Sequence, residues 1–355
     1  MTASSVLDQA RDVRAGEELP VDSINDWLKT HLSMPLTGSP KVTQYSGGAS
    51  NWTYCLSYPE RDLILRRAPK GTKAKGAHDM AREFRLQKAL KPVFPAVPEM
   101  FALCQDPSVL DSDFYIMEKL QGIIPRRNFP KGLSVSEDQA RTLCLNMLDQ
   151  LVQLHEVDLE ATGLHDLAKG EGYLDRQLSG WCDRYTKAKT WNVPSAKKVM
   201  RWLQENKPTD ENICLTHNDF RLDNLVLATD DPTRITGILD WELATLGDPL
   251  MDLGNALAYW VEAKDDRLAQ ATRRQPTHLP GMLTRAEMIE TYLAKRGLEH
   301  TDFRWYEVFG LFRLAGIAQQ IYYRYHHKQT RNPAFKNFWF FVHYLLWRSK
   351  KAMRT

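Results

Sequence analysis

Residues 216–224 read THNDFRLDN, a His, an Asp two places on and an Asn five beyond that, running directly into the apolar triplet Leu225, Val226, Leu227. A loop that ends in a strand can aim Asp219 at an acceptor hydroxyl while Asn224 points sideways at a cation. A second apolar run, residues 235–239, stops at Asp240. A carboxylate at a strand end, where the backbone opens, suits a hard divalent cation that bridges nucleotide phosphates. Thr229, Asp230, Asp231 and Pro232 between the runs are turn chemistry, so a hairpin is expected to bring Asn224 and Asp240 to one metal site. Asp and Asn in loops also make turns and cap helices. The flanking strands and the second Asp tip the reading toward phosphoryl transfer.

The spacing His, any, Asp, four of any, Asn is the catalytic-loop pattern of the kinases. Four other stretches accompany it: SGGASNWTY (46–54), LILRRAP (63–69), AHDMAREFR (77–85) and DPSVLDSDFYIMEKLQG (106–122). With residues 217–252 they run, in the same order and over most of the chain, as in a known family. The sequence resembles the aminoglycoside phosphotransferase and choline kinase-like enzymes. More narrowly, it is similar to the kinase-like domain of the acyl-CoA dehydrogenase 10 and 11 proteins and their free-standing bacterial relatives. The resemblance implies an α+β, bilobal protein-kinase-like fold. A small antiparallel-sheet N-lobe is expected at 37–122 and a larger, mainly helical C-lobe at 123–355, with 1–36 as a peripheral helical segment. It also implies ATP and Mg as cofactors, Asp219 as the proton acceptor, and Asn224 and Asp240 as metal ligands.

In the smaller lobe, residues 42–45 and 52–58 alternate as strands around 46–51. Ser46, Gly47, Gly48 and Ser50 leave little bulk at the tip, so backbone N–H groups can approach a phosphate; a plain Gly-rich turn is the alternative, and the position before LILRRAP favours the phosphate. Arg66 stands where kinases place the phosphate-touching lysine. It keeps the charge and can bind phosphate in a bidentate fork, whereas its neighbour Arg67 reads as a solvated strand-end residue. Glu83, on a helix expected over 77–90, is the natural ion-pair partner of Arg66. Residues 114–118 form an apolar strand running into a hinge, with Glu118 to Leu120 offering backbone groups to an adenine edge.

At 355 residues the chain suits two lobes. A net charge of +3 is too small to argue for nucleic acid, no apolar stretch approaches the length of a membrane span, and the first residues lack an apolar signal core, so a cytoplasmic protein without membrane or nucleic-acid partners is expected. Five scattered cysteines, none in CxxC spacing, read as buried small hydrophobes.

In the larger lobe a helix is expected over 136–155, with His155 structural. Arg176, Gln177 and Trp181 either face the acceptor or pack. His217 is read as a brace for the loop, Asp248 as an N-cap or loop brace, and Asp252 as a carboxylate that holds the loop by hydrogen bonds. Residues 261–355 hold 17 Lys plus Arg against 8 Asp plus Glu, a net +9, which leaves the preceding part at −6. That balance disfavours a polycationic aminoglycoside and favours an anionic acceptor such as a hydroxyacyl-CoA or related hydroxy acid. Fifteen of the 36 aromatics fall between Phe303 and Trp347; helical spacing makes them core first, an acyl-chain wall second. Arg324, His326, His327, Lys328 and Arg331 read as a solvated helix end or an anion patch. An aminoglycoside kinase is the rival enzyme, and a nucleotide-binding pseudokinase scaffold is the rival of another class, with Arg66 in its favour.

Overall fold

The computed structural model describes residues 10–45, 51–69, 79–167, 170–209 and 212–354. Its strands among those residues are β1 (Lys41–Gln44), β2 (Trp52–Ser57), β3 (Asp62–Arg67), β4 (Met100–Cys104), β5 (Phe114–Glu118), β6 (Cys214–Thr216), β7 (Leu225–Leu227), β8 (Ile235–Ile238) and β9 (Thr245–Gly247). The chain forms two compact units. The first takes the described residues up to Val135, Glu160–Leu164 and Asp223–Glu242; the second takes the remainder.

In the first unit, β1 to β5 make one antiparallel sheet in the order β1, β2, β3, β5, β4. Period-two alternation divides its side chains between two cores. Tyr54, Leu56, Leu63, Leu65, Phe114 and Ile116 pack with Ile24 and Leu28 of the Val21–His31 helix. Cys55, Ile64, Tyr115 and Met117 pack instead with Met80 and Phe84 of the Met80–Leu90 helix. Ile24 and Leu28 are fully buried, each worth roughly 1.5–3 kcal/mol. Asn25 of the same helix accepts from the Tyr58 hydroxyl at 2.9 Å and donates to the Gly38 carbonyl at 3.1 Å. The segment read as peripheral is thus part of the sheet's core.

Where the sequence placed residues 223–242 in the later lobe, they close on the first unit. β7 and β8 pair antiparallel, and Leu227 exchanges both backbone hydrogen bonds with Ile123 at 2.7 and 2.8 Å. Gly122 permits that approach, since a Cβ there would lie 2.4 Å from the Leu227 carbonyl oxygen.

The second unit is mainly helical. The Glu137–His155 helix starts on a Ser136 capping box with Gln139, a reciprocal satisfaction of two orphan donors. Trp305, Phe309 and Phe312 of the Arg304–His326 helix are buried, so this part of the aromatic run is core. The short β6–β9 pair was not expected from the sequence; three-residue strands carry too little period to be read. The Pro249–Leu257 and Arg304–His326 helices meet at Gly254 and Gly310, where a Cβ on Gly310 would stand 2.2 Å from the Gly254 carbonyl oxygen. Backbone on both sides leaves no flexible atom to yield. Gly310→Ala is expected to destabilise the protein by about 3 kcal/mol, read as a fall in the urea midpoint; an unchanged midpoint would contradict this packing.

The cysteines are unbridged, and four of the five are buried. No helix among the described residues is long and apolar enough to cross a membrane.

Candidate active site

Strands β1, β2, β3 and β5 and the β7–β8 hairpin of the first unit line a cavity of about 430 Å³, within the roughly 300–1,000 Å³ range of small-molecule sites. Thr53, Cys55 and Ile64 line it from β2 and β3, Leu120 from the segment after β5, and Val226 and Leu239 from the hairpin. Arg66, Asn224 and Asp240 line it as well. The hairpin explains why the last two share a wall: the Leu239 N–H donates to the Asn224 carbonyl at 2.8 Å, so the start of β7 and the end of β8 lie side by side. Asp240 itself adopts φ +68°. A non-glycine residue in this left-handed region is strained by about 1 kcal/mol or more.

Arg66 is almost wholly buried and stands among three acids. Its Nη1 lies 3.0 Å from Glu83 Oε1, and its Nη2 lies 3.0 Å from Asp240 Oδ1 and 3.9 Å from Glu242 Oε2. Burial alone would loosen its proton, but Glu83, Tyr115 and Asp240 outweigh that and hold the guanidinium pKa well above its usual value. For Glu83 the balance runs the other way: burial raises the carboxyl pKa, and Arg66 and the Tyr115 hydroxyl pull it back. That hydroxyl donates to Glu83 Oε1 at 2.7 Å. Glu242 also accepts from Asn51 Nδ2 at 3.1 Å, which ties the residue closing the Gly-rich stretch to this cluster.

Asp240 Oδ2 makes no hydrogen bond or ion pair among the described residues, and Asn224 adds an amide oxygen. A carboxylate oxygen and an amide oxygen are hard donors that fit magnesium, which takes one or two protein ligands and completes its shell with phosphates and water.

Ser46, Gly47, Gly48 and Ser50 lie outside the described residues. Glu118 lines the cavity, but its N–H donates to the Glu99 carbonyl at 2.8 Å and its side chain accepts from the Glu99 N–H at 3.0 Å. Lys119 and Leu120 follow it along the wall. Arg67, expected in solvent, is instead fully buried over the Trp52 ring at 5.4 Å and paired with Asp111 at 2.7 Å. Strand alternation sends it to the face opposite Arg66, and a buried charge needs its partner.

Asp219 belongs to the second unit, in a loop held by Asp252. The Asp252 carboxylate accepts the N–H groups of His217 and Asn218, each at 2.7 Å. The Asp219 N–H donates to His217 Nδ1 at 3.2 Å, so His217 braces the loop. The Asp219 side chain lies 3.3 Å from Arg221 Nε, and that guanidinium stacks over Tyr259 at 4.5 Å. Asp248 caps the following helix by accepting from the Met251 N–H at 2.8 Å.

His155 buttresses this arrangement from below the loop's anchor. Burial keeps its pKa low despite the pull of Asp252, so it is neutral: Nε2–H donates to Asp252 at 3.2 Å and Nδ1 accepts from the Tyr292 hydroxyl at 2.6 Å. With its folded pKa below the unfolded value of 6.5, the unfolded chain takes up a proton that the folded one refuses. Stability is therefore lost as pH falls through that value, with a slope of up to about 1.4 kcal/mol per pH unit from this group. Urea melts at pH 7.5 and 5.5 should show a loss in the wild type that His155→Gln reduces; parallel losses would contradict a neutral, buried His155.

A family model described as the phosphotransferase enzyme family matches residues 41–288. The chain belongs to that family. Its members are described as phosphotransferases. Among curated proteins it is 35% identical over 316 residues to mouse acyl-CoA dehydrogenase family member 10, covering 88% of this chain but 29% of that protein. A crystal structure from Ralstonia eutropha, provisionally described as an aminoglycoside phosphotransferase, matches with a TM-score of 0.80 at 27% identity, over 95% of this chain and 99% of the other. A thermostable aminoglycoside phosphotransferase mutant solved with AMP-PNP and hygromycin B matches with a TM-score of 0.58 at 17% identity, over 94% and 98%; it shows the fold alone, the kinase-like one.

Tyr115, Glu242 and Asn51 were not singled out from the sequence. Tyr115 sits in an apolar strand and reads as core. Glu242 carried one signal, a second acid two residues after Asp240.

Proposed function

We propose that this protein moves the γ-phosphoryl group of ATP to the hydroxyl of a small anionic acceptor, a hydroxyacyl-CoA or related hydroxy acid. The observation that carries the reading is the cluster at the cavity wall, in which Asn224 and Asp240 share a hairpin edge and Arg66 is locked between Glu83 and Asp240.

Asn224 and Asp240 would hold magnesium, which when bound neutralises charge building on the β- and γ-phosphates. Arg66 presents its guanidinium to the phosphates, and Glu83, itself held by Tyr115, fixes the guanidinium's angle. Backbone groups between Glu118 and Leu120 meet the base. Asp219 orients the acceptor hydroxyl and takes its proton as the acceptor oxygen bonds to the γ-phosphorus and the bond to the ADP oxygen breaks. The transition state is loose, so positioning and charge neutralisation supply most of the rate. A relative of the fold solved with AMP-PNP supports ATP as donor.

The acceptor class is supported by two observations. The chain is similar in sequence to proteins named for acyl-CoA chemistry, and residues 261–355 carry a net +9. Part of that charge is internal, as in the pairing of Arg285 with Asp265 at 2.6 Å and of Lys295 with Asp149 at 2.6 Å. Arg324, Lys328 and Arg331 remain exposed and can attract an anion. The Ralstonia structure favours a second reading, an aminoglycoside acceptor.

The two readings separate on transfer from γ-labelled ATP with Mg to a 4-hydroxyacyl-CoA and, in parallel, to kanamycin. Label on the acyl-CoA is expected. Label on kanamycin alone would replace the first reading with the second, and nucleotide binding without turnover on either, or on a broad panel of hydroxy compounds, would favour a scaffold.

A further inference from the structure

The peptide unit that joins Asn218 to Asp219 is gripped at both ends. Its N–H donates to His217 Nδ1 at 3.2 Å, and its carbonyl accepts from Arg313 Nη2 at 3.1 Å. Arg313 lies mid-way along the Arg304–His326 helix, in contact with the loop across 95 residues of sequence.

This arginine is 6% exposed and has no carboxylate within 4 Å among the described residues. Burying a cation without an acid is unfavourable, and an apolar side chain of similar volume would fill the same space at lower cost. The structure shows what the charge holds instead. The guanidinium lies 5.4 Å from the Trp181 ring centre, in a cation–π contact, and Arg184 lies 4.7 Å from the same ring. Trp181 is itself seated against Gly316, one turn beyond Arg313, where a Cβ would come 3.0 Å from the ring. The guanidinium is thereby fixed between a clamped ring and one backbone carbonyl.

That carbonyl belongs to a residue in an unusual conformation, Asn218 at φ +63°. Asn tolerates the left-handed region better than most residues, but at a cost of about 1 kcal/mol. Asp252, Asn255, Thr216 and Leu243 fix the N–H and side chain of Asn218. The peptide plane that follows, held by His217 and Arg313, sets the direction of the Asp219 side chain. We propose that Arg313 is a positioning residue: by holding the Asn218 carbonyl opposite the His217 contact, it prevents rotation of that peptide and keeps Asp219 aimed at the acceptor hydroxyl. The inference rests on the role given to Asp219 in the proposed function.

The test uses full-length Arg313→Met and Arg313→Lys, with two readouts. In steady-state transfer from Mg-ATP to a 4-hydroxyacyl-CoA, Arg313→Met is expected to lower kcat by about tenfold to a hundredfold, in the range of a small misalignment of a reacting group, with both KM values within about twofold. Arg313→Lys, which retains one donor and the charge, should recover part of kcat. In residue-resolved hydrogen exchange the Asp219 amide should exchange at least about tenfold faster in Arg313→Met, with Leu215 and Leu227 unchanged as reporters of general stability. Wild-type kcat and wild-type exchange at Asp219 would overturn the proposal. So would faster exchange at all three amides in step with a lowered Tm, which marks a packing role only. If the wild type fails to phosphorylate the acyl-CoA, the acceptor reading fails, while the Asp219 amide still decides whether Arg313 clamps the peptide.

Discussion

Asp219→Asn should leave a folded protein that binds Mg-ATP normally and transfers its phosphoryl group about 10²–10⁴ times more slowly, the usual contribution of a general base. The substitution keeps shape and removes the charge and proton affinity. The loop does not depend on that charge for its fold. Its N–H groups at 217 and 218 are held by Asp252, and the 219 N–H by His217. Arg221 loses an ion-pair partner at 3.3 Å but keeps its stacking over Tyr259. Nucleotide affinity by titration calorimetry and kcat from labelled ATP separate the two effects. Near-normal turnover would remove Asp219 from the proton-accepting role.

Asp240→Ala has a different expected signature: Mg-dependent nucleotide binding itself weakens by about 100-fold, because removal of a ligating carboxylate costs at least what an outer-shell partner does. Two effects act together. The cation loses a ligand, and Arg66 loses one of the acids that fix its Nη2, so its fork can swing toward Glu242. The fold should be little altered, since Glu83 and Glu242 still face Arg66. Alanine at φ +68° adds local strain, so Asp240→Asn is the useful companion: Asn tolerates that backbone and isolates the missing charge. Binding measured with Mg and with EDTA should converge in both variants. A full Mg response in Asp240→Ala would place the cation elsewhere.

What the sequence made legible was what local pattern encodes. β7 and β8 are apolar runs separated by turn residues and ending beside an amide and an acid, so their pairing, and the nearness of Asn224 and Asp240, could be argued from residue types alone. Helix starts were equally readable where a cap announces them, as at Ser136 and Asp248. What remained hidden depends on tertiary partners far along the chain. Arg67 reads as a surface charge until Asp111 and Trp52 are brought to it. Tyr115 reads as an apolar strand residue until its hydroxyl meets Glu83, and Arg313 as one cation of a basic region until it is seen inside a helix, aimed at a carbonyl. The same region shows why composition overstates free charge: Arg285, Lys295 and Arg313 count toward its +9 and are paired or buried.

The central claim is that the paired ends of β7 and β8 hold the cation of a bound nucleotide in the cavity lined by β2 and β3. A crystal structure with AMP-PNP and Mn²⁺, with the metal located by anomalous scattering, tests it most directly. The expected result is a metal about 2.1 Å from an Asn224 amide oxygen and an Asp240 carboxylate oxygen, with the triphosphate in reach of Arg66. A metal bound with neither residue among its ligands would contradict it.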